Sequence, residues 1–222
     1  MAIRLSERLS AAASLIRGGG IVADIGTDHG YLPVYLIEAG KVKGAIAADI
    51  RKMPLENAAK SVGKYGMQDK IELRLSDGLQ SFGPDDADEF VFAGMGGTLI
   101  AEKLGETQWI KDPKYHFVFQ PQSRAEDLRR YLYENGFEIE TEIATHEGRR
   151  IYIALSACYT GEVKSFSEAD CFTGRLPRND DSRSHIRSQY NRLTQRYNGT
   201  ADESEKERLS AVLSALKEFI ND

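Results

Sequence analysis

The sequence predicts an α/β fold in which a doubly wound sheet ends in an antiparallel pair of strands and is followed by a helical hairpin. Residues 21–26 and 44–50 are short apolar runs, typical of buried parallel strands. Residues 31–40 between them have a helical pattern that ends at a glycine. This β-α-β unit recurs along the chain, and its repetition predicts parallel strands covered by helices on both faces.

The other elements of the predicted sheet follow from the same patterns. Apolar residues at helical spacing indicate a first helix (Leu5, Leu9, Ala12, Ala13 and Ile16), which the glycines at 18–20 stop. Beyond the β-α-β unit we expect a helix at 53–66, strands at 71–78 and 89–97, a helix from Thr98 and a strand at 115–121.

The end of the sheet is predicted from a capping signal and from a period of two residues. Ser123, with Glu126 three residues later, predicts a capping box for a helix at 124–135. Residues 137–144 and 150–157 then alternate around a glycine-containing turn, so they predict an antiparallel pair added to the sheet.

After residue 157 the pattern becomes helical. Residues 160–182 show little periodicity apart from a short helical signal near Ser167. Two apolar stripes separated by an Asn-Gly break follow, namely Ile186, Tyr190, Leu193 and Tyr197, then Leu209, Val212, Leu213, Leu216, Phe219 and Ile220. These stripes predict two antiparallel helices.

Composition excludes several classes of protein. The 41% hydrophobic content suffices for a substantial core, and no apolar run is long enough to cross a bilayer. The charged N-terminus does not resemble a signal peptide, so we expect a cytoplasmic protein without a membrane partner. The two cysteines lack C-x-x-C spacing and the four histidines are scattered, which argues against a disulfide framework or a metal site. The oligomeric state stays open, and a monomer is compatible with the sequence.

A basic segment interrupts a chain whose formal net charge is −5. Between residues 174 and 197, only Asp180 and Asp181 oppose six arginines, which are Arg175, Arg178, Arg183, Arg187, Arg192 and Arg196. The helical period places Arg183 with Arg187, and Arg192 with Arg196, on opposite sides of the first stripe, where we expect them to be exposed. This set is either a solvated face or a surface that binds nucleic acid.

The turn after the first predicted strand contains unusual acidic residues. It departs from the dinucleotide-binding pattern G-x-G-x-x-G, because Asp24 takes the first glycine position and Gly26 and Gly30 are separated by three residues. A carboxylate here would repel a pyrophosphate but would suit an ammonium group. S-adenosyl-L-methionine carries both an ammonium and a cationic sulfonium.

Two further aspartates end successive strands of the predicted sheet. Asp49 lies about 20 residues beyond the glycine turn, where an acidic side chain binds ribose hydroxyls. Asp77 ends the next strand, placed to accept from an adenine amino group. Loop aspartates also cap helices, but three at successive strand ends favour a nucleoside-containing ligand.

Several quoted segments resemble one known family. These are VADIGTDHGYLP, AADI, LSDGL, FAGMGG and QPQS, together with the C-terminal helical hairpin. They resemble the bacterial TrmK family, tRNA methyltransferases that modify N1 of adenine 22. The resemblance covers nearly the whole chain and is weakest at 160–182. It implies a Rossmann-like class I methyltransferase domain at 1–159, which binds S-adenosyl-L-methionine, and a coiled-coil-like helical domain at 160–222, which grips tRNA.

The resemblance and the chemistry of methyl transfer together assign the site residues. For cofactor binding we expect Asp24, Gly26, Thr27, His29, Gly30, Asp49, Ile50, Asp77, Gly78, Gly94 and Met95. Adenine N1 already has its lone pair, so no strong base is needed, and a carboxylate near the exocyclic amine stabilises the positive charge that grows on the ring. Asp28 is the candidate for this catalytic role, and a bond to the methionine moiety or to the turn backbone is its alternative. For His29, a structural hydrogen bond competes with any acid or base role.

The substrate is expected at the next strand ends. Glycines occupy the position of the Asn/Asp-Pro-Pro-Tyr motif of amino-directed methyltransferases, which fits a ring nitrogen as acceptor, with Met95 as an apolar wall. A tight turn alone would also account for these glycines, so both roles stay open for them. The residues predicted to contact the substrate are Gly96, Gln120, Pro121 and Gln122 near the base, and Arg183, Arg187, Arg192 and Arg196 on tRNA phosphates.

Other functions share part of this pattern. A small-molecule methyltransferase would use the same cofactor residues but would have no evident use for an arginine-rich helical hairpin. An RNA-binding module with a vestigial cofactor fold conflicts with the intact aspartates and glycine turn. A nicotinamide-dependent enzyme is disfavoured by the failed dinucleotide pattern.

Overall fold

The computed structural model describes residues 3–222 and forms one seven-stranded sheet with the order β3-β2-β1-β4-β5-β7-β6. The strands are β1 Ile21–Ile25, β2 Gly44–Asp49, β3 Ile71–Leu75, β4 Glu89–Ala93, β5 His116–Gln120, β6 Phe137–Glu147 and β7 Arg150–Tyr159. The helices are α1 Glu7–Leu15, α2 Tyr31–Glu38, α3 Lys52–Lys64, α4 Gly97–Gly105, α5 Ala125–Glu134, α6 Glu168–Thr173, α7 Asp180–Gly199 and α8 Glu203–Asn221. The first five strands are parallel, and β7 is antiparallel to both β5 and β6, which confirms the predicted sheet and its added pair.

The sheet is buried on both faces, because side chains alternate along each strand. On one face, aromatic residues such as Phe90, Phe92 and Phe119 pack against α4, α5 and the C-terminal helices. On the other face, smaller residues such as Val91 and Val118 pack against α1, α2 and α3. Covering both faces leaves the ends of the strands as the accessible part of the sheet.

The predicted helical hairpin is present and antiparallel. Arg178, just before α7, lies 3.5 Å from the Asp222 carboxylate after α8, and its guanidinium covers the Phe219 ring at 3.9 Å. Residues of α7 and α8 such as Ile186 and Leu209 belong to the same apolar cluster as the sheet. The short helix expected near Ser167 is α6, which begins at a capping box.

A buried ion pair joins α5 to β6, and its arginine also binds α6. Arg129 on α5 donates to Glu142 on β6 at 2.8 Å, and both side chains are almost completely inaccessible. The same guanidinium donates to the carbonyls of Cys171 and Phe172, which belong to the last turn of α6. These bonds order the segment that the sequence pattern left undefined. The division at residue 159 is not tested by them and stays a prediction.

The predicted capping box at Ser123 is wrong. Arg124 precedes α5 in a left-handed conformation with φ 56, and no side chain caps this helix. The Ser123 carbonyl instead accepts from the backbone of Gly97, and the Glu126 side chain accepts from Arg192 on α7. Ser123 and Glu126 thus bond to distant parts of the chain and do not form the local cap.

Residues 3–222 contain neither a helix that could span a membrane nor a cluster of side chains that could hold a metal ion. None of the helices combines the length and apolar character that a bilayer crossing requires. Within the same range, no group of three or more His, Cys, Asp or Glu side chains is arranged to hold a metal ion.

Candidate active site

An open cavity of about 510 Å³ lies at the carboxyl ends of β1, β2 and β4. The strand order reverses between β1 and β4, and open α/β sheets bind ligands at such a point. The turn after β1 is held over β2, because the N–H groups of Gly26 and Thr27 both donate to the Ala48 carbonyl at 2.8 Å. The cavity is lined by nine of the predicted site residues, namely Asp24, Gly26, Thr27, Asp28, His29, Gly30, Asp49, Gly94 and Gln122.

Four other predicted cofactor residues are not on the cavity wall, namely Ile50, Asp77, Gly78 and Met95. Met95 packs against the turn, with its Sδ 3.1 Å from where a Cβ on Gly26 would lie. Gly26 also has φ 82, a conformation that favours glycine, so the turn requires glycine for two reasons. The Asp77 carboxylate accepts from Lys103 Nζ at 3.0 Å, and this ion pair competes with its predicted bond to adenine.

Two buried carboxylates face the cavity, and their negative charge would be stabilised by a cation bound there. Asp24 and Asp49 are each only 6% exposed. Burial raises the pKa of Asp24 to about 6, with the Thr27 hydroxyl opposing the rise and the charge of Asp49 adding to it. The Thr27 oxygen forms no hydrogen bond of good geometry within residues 3–222, so it offsets only part of the rise in the Asp24 pKa. Asp49 is better compensated, because it accepts from the backbone N–H of Arg51 at 2.7 Å. A bound cation would therefore favour the ionised form of Asp24.

The predicted catalytic residue lies at the open side of the cavity. The Asp28 side chain is 69% exposed, and its carboxylate is 3.3 Å from Nε2 of His29. The His29 ring stacks on Tyr31 with centroids 5.1 Å apart. These contacts give His29 a structural part in the turn and leave the Asp28 carboxylate accessible to a second substrate. Neither contact tests catalysis by Asp28.

The loop after β4 is attached to the loop after β5. The Gly97 N–H donates to the Ser123 carbonyl at 2.7 Å, and Gly96 pairs with Ser123 in an isolated β-bridge. A Cβ on Gly97 would lie 2.1 Å from the Arg124 carbonyl oxygen, so this position accepts only glycine. The glycine pair therefore serves close packing of two loops, and a substrate contact by Gly96 is left as a prediction.

The helix α1 contributes a cation that the sequence pattern did not indicate. Arg8 lines the cavity, and its Nη1 donates to Oε1 of Gln120 at 2.9 Å. Its backbone N–H donates to the Glu147 carboxylate at 3.1 Å. In the sequence Arg8 is an ordinary polar position of an amphipathic helix, so only its neighbours in the fold identify it.

The predicted contact between Gln120 and the substrate is wrong. Gln120 is 0% exposed, and its amide oxygen is occupied by Arg8. Gln120 therefore holds Arg8, because a completely buried side chain at the end of β5 cannot reach a ligand in the cavity. Gln122, two residues later, is exposed and lines the cavity.

Five of the six arginines of the basic segment are paired with carboxylates, and four of these carboxylates lie outside the segment. Arg175 pairs with Glu138, Arg178 with Asp222, Arg183 with Asp180, Arg192 with Glu126 and Arg196 with Glu205. Arg187 has no carboxylate within 4.0 Å among residues 3–222. Arg187, Arg192 and Arg196 are exposed as predicted, whereas Arg183 is half-buried, with 28% of its side chain accessible. The free positive charge of this segment is therefore smaller than its composition indicates.

Comparisons with known proteins agree with this geometry. A family model described as a methyltransferase domain matches residues 5–155. A tRNA (adenine(22)-N(1))-methyltransferase of Bacillus subtilis is 36% identical over 155 residues, which are 70% of this chain and 65% of that protein, so the match spans just under two thirds of the relative. A Streptococcus pneumoniae structure, described as a putative tRNA (m1A22) methyltransferase, has a TM-score of 0.84 at 31% identity and covers 98% of this chain and 100% of its own. The structure of that protein in complex with S-adenosyl-L-methionine has the same TM-score at 30% identity, with coverage of 98% and 100%.

Proposed function

We propose that this protein transfers the methyl group of S-adenosyl-L-methionine to N1 of adenine 22 in tRNA. The chain belongs to the methyltransferase domain family and to the tRNA (adenine(22)-N1)-methyltransferases within it. The observation that carries the proposal is the pair of buried carboxylates at the reversal point of the sheet. The pair suits a cationic ligand with ribose hydroxyls and is unsuited to a pyrophosphate.

The residues around the cavity match the parts of this cofactor. Asp24 accepts from the ammonium group, and Asp49 accepts from the ribose hydroxyls. Arg8 supplies the positive charge for the carboxylate at the amino-acid end. Met95 and Ile50 lie outside the cavity wall and contribute apolar surface next to it, after β4 and after β2. When bound, the cofactor supplies an electrophilic methyl group on a sulfonium.

Catalysis in this proposal is mainly alignment of the acceptor nitrogen, helped by one carboxylate. The adenine N1 lone pair needs no base, so the protein must hold the ring in line with the methyl group. Asp28, on the open side of the cavity, accepts from the exocyclic amine as positive charge grows on the ring. The proton on that amine becomes more acidic at the same time, which strengthens the bond.

The tRNA is held outside this cavity, by the helical residues 160–222. Arg187 is the arginine of this set best able to bind a phosphate without first breaking an ion pair. Arg183, Arg192 and Arg196 contribute after exchanging a carboxylate for a phosphate. We retain the cytoplasm as the place of action, because it is where tRNA is modified in a bacterium.

The direct test is incubation of the protein with unmodified tRNA and methyl-labelled cofactor, followed by nucleoside analysis. We expect label in 1-methyladenosine at position 22, and none in a matched tRNA with guanine at that position. Calorimetry tests the cofactor site separately, where Asp49→Ala weakens binding by about 1–3 kcal/mol. Label in free metabolites but not in tRNA would establish a small-molecule methyltransferase. Absence of cofactor binding by the wild-type protein would leave only an RNA-binding module.

A further inference from the structure

A second cavity, of about 340 Å³, adjoins the first and shares Gln122 with it. Its walls are the loop after β5, the start of β7 and one side of α7. Because β7 is antiparallel to β5, Ile151 and Tyr152 lie at the same edge of the sheet as Pro121. The two cavities are therefore neighbours along the edge at which the cofactor is proposed to bind.

The wall formed by α7 carries a buried polar group that nothing in the fold uses. His185 is 8% exposed, lines the cavity and makes no hydrogen bond within residues 3–222. Burial, together with the nearby charges of Arg129 and Arg192, lowers the pKa of His185 to about 4, so the ring is neutral. A neutral imidazole offers one donor and one acceptor. Neither is used by the part of the protein that the structure describes, so both are available to a ligand that enters the cavity.

The other polar groups of this cavity are partly occupied. Arg192 donates to Glu126 and to the amide oxygen of Gln189, each at 2.7 Å. The amide nitrogen of Gln189 is left as a donor toward the cavity. Tyr152 is half-buried and supplies an aromatic surface on the opposite wall. An aromatic surface with separate donors and acceptors is the composition of a pocket for a nucleobase.

We propose that this second cavity receives the acceptor adenosine after it leaves the tRNA stack, with His185 and Gln189 binding the base at its N6/N7 edge, beside the reacting N1. The proposal rests on the proposed function. N1 must point toward the methyl group, and hence toward Gln122, where the cavities meet. The N6/N7 edge of adenine, which adjoins N1 through the amine, presents the acceptor N7 and one N6 hydrogen, and the other N6 hydrogen is left for Asp28. The amide nitrogen of Gln189 donates to N7, and the acceptor nitrogen of the neutral His185 ring accepts from N6.

The choice of this side follows from the arrangement of the strands. Asp49 and the end of β2 are assigned to the adenosine part of the cofactor, so the cofactor occupies the side of β1 on which β2 lies. The acceptor must then approach across the ends of β4 and β5, where Gly94 and Gln122 border the first cavity. The second cavity is directly beyond them. His185 is thus a positioning residue for the acceptor.

The test compares three variants of the full-length protein with wild type. His185→Leu removes the polar ring atoms, His185→Gln restores one donor and one acceptor, and Gln195→Leu is the control at an exposed position of α7. The measurements are thermal unfolding, the cofactor Kd by calorimetry, and kcat and KM with unmodified tRNA.

We expect His185→Leu to unfold at or above the wild-type temperature and to keep the cofactor Kd within about twofold, since the ring has no partner to lose. Its kcat/KM for tRNA falls by about tenfold or more. His185→Gln recovers most of this loss, and Gln195→Leu shows none of it. Tyr152→Ala, measured in the same way, loses tRNA activity without losing cofactor affinity.

Wild-type kcat/KM in both His185→Leu and Tyr152→Ala would overturn the assignment of this cavity while leaving the proposed function intact. Equal losses in tRNA activity and cofactor affinity would also overturn it, because the residues would then serve the cofactor site. A wild-type protein that methylates no tRNA would instead refute the proposed function. If His185→Leu fails to fold, Tyr152→Ala decides the question alone.

Discussion

Replacing Asp24 by asparagine should make the protein more stable and a poorer binder of its cofactor. The folded-state pKa of Asp24 is raised to about 6 from an ordinary value of 3.8, chiefly by burial. An acid whose pKa is higher in the folded state binds its proton more tightly there. Its contribution to stability is therefore complete below pH 3.8 and is lost as pH rises through 6. The difference of about 2.2 pKa units amounts to about 3 kcal/mol at neutral pH.

Asparagine removes this penalty because it carries no charge at any pH. Above pH 7 we expect Asp24→Asn to exceed the wild type in unfolding free energy by up to about 3 kcal/mol, and about half of that difference develops between pH 5 and pH 8. Cofactor affinity at pH 8 should fall, because the ammonium group loses its carboxylate. The stability gain and the affinity loss have the same origin in a charge buried for a cation.

Urea unfolding without cofactor, at pH 5 and pH 8, measures the stability, and calorimetry at pH 8 measures the affinity. Asp28→Asn is the matched control, since its carboxylate belongs to the same turn but is 69% exposed, and we expect its unfolding free energy to stay within about 0.5 kcal/mol of wild type. If Asp24→Asn is no more stable than wild type at pH 8, the carboxylate carries no burial penalty. The argument for a cation site would then fail.

Three further predictions concern catalysis, stability and tRNA binding. Asp28→Asn should lower kcat with tRNA much more than it raises the cofactor Kd, whereas equal effects would place Asp28 in the binding turn instead. Glu142→Gln leaves the Arg129 charge buried without its counter-ion, so urea unfolding should show a loss of about 3–5 kcal/mol, and a loss below 1 kcal/mol would contradict the burial of this pair. Arg187→Gln should reduce the slope of log tRNA affinity against log salt concentration by about 0.7–0.9. The change should be smaller for Arg196→Gln, because the Arg196 guanidinium already pairs with Glu205 on α8. Equal slopes for both variants and the wild type would show that these arginines form only a solvated surface.

The sequence alone determined the sheet, the order of its elements and the acidic turn. Short apolar runs marked the parallel strands and a period of two marked the terminal pair, and the β-α-β order required the carboxyl ends of the parallel strands to share one edge. Asp24, Gly26 and Asp49 could thus be placed in one cavity without coordinates, because each is set by its position at the end of a local element. The same local reasoning located α7 and α8, whose apolar stripes repeat at helical spacing, and a short helical signal near Ser167 marked α6.

Only the tertiary structure decided which charges remain free and which polar groups face a ligand. Arg8 bonds to Gln120, 112 residues away in sequence, so the residue predicted to contact the base is instead a buried partner of Arg8. Arg192 bonds to Glu126, 66 residues away, and pairings of this kind neutralise most of the basic segment. His185 looked like any residue of an amphipathic helix until α7 packed beside β7 and formed a cavity around it. Periodicity reports which face of an element is buried, but partners at such distances along the chain depend on how the elements pack, and that is a property of the whole fold.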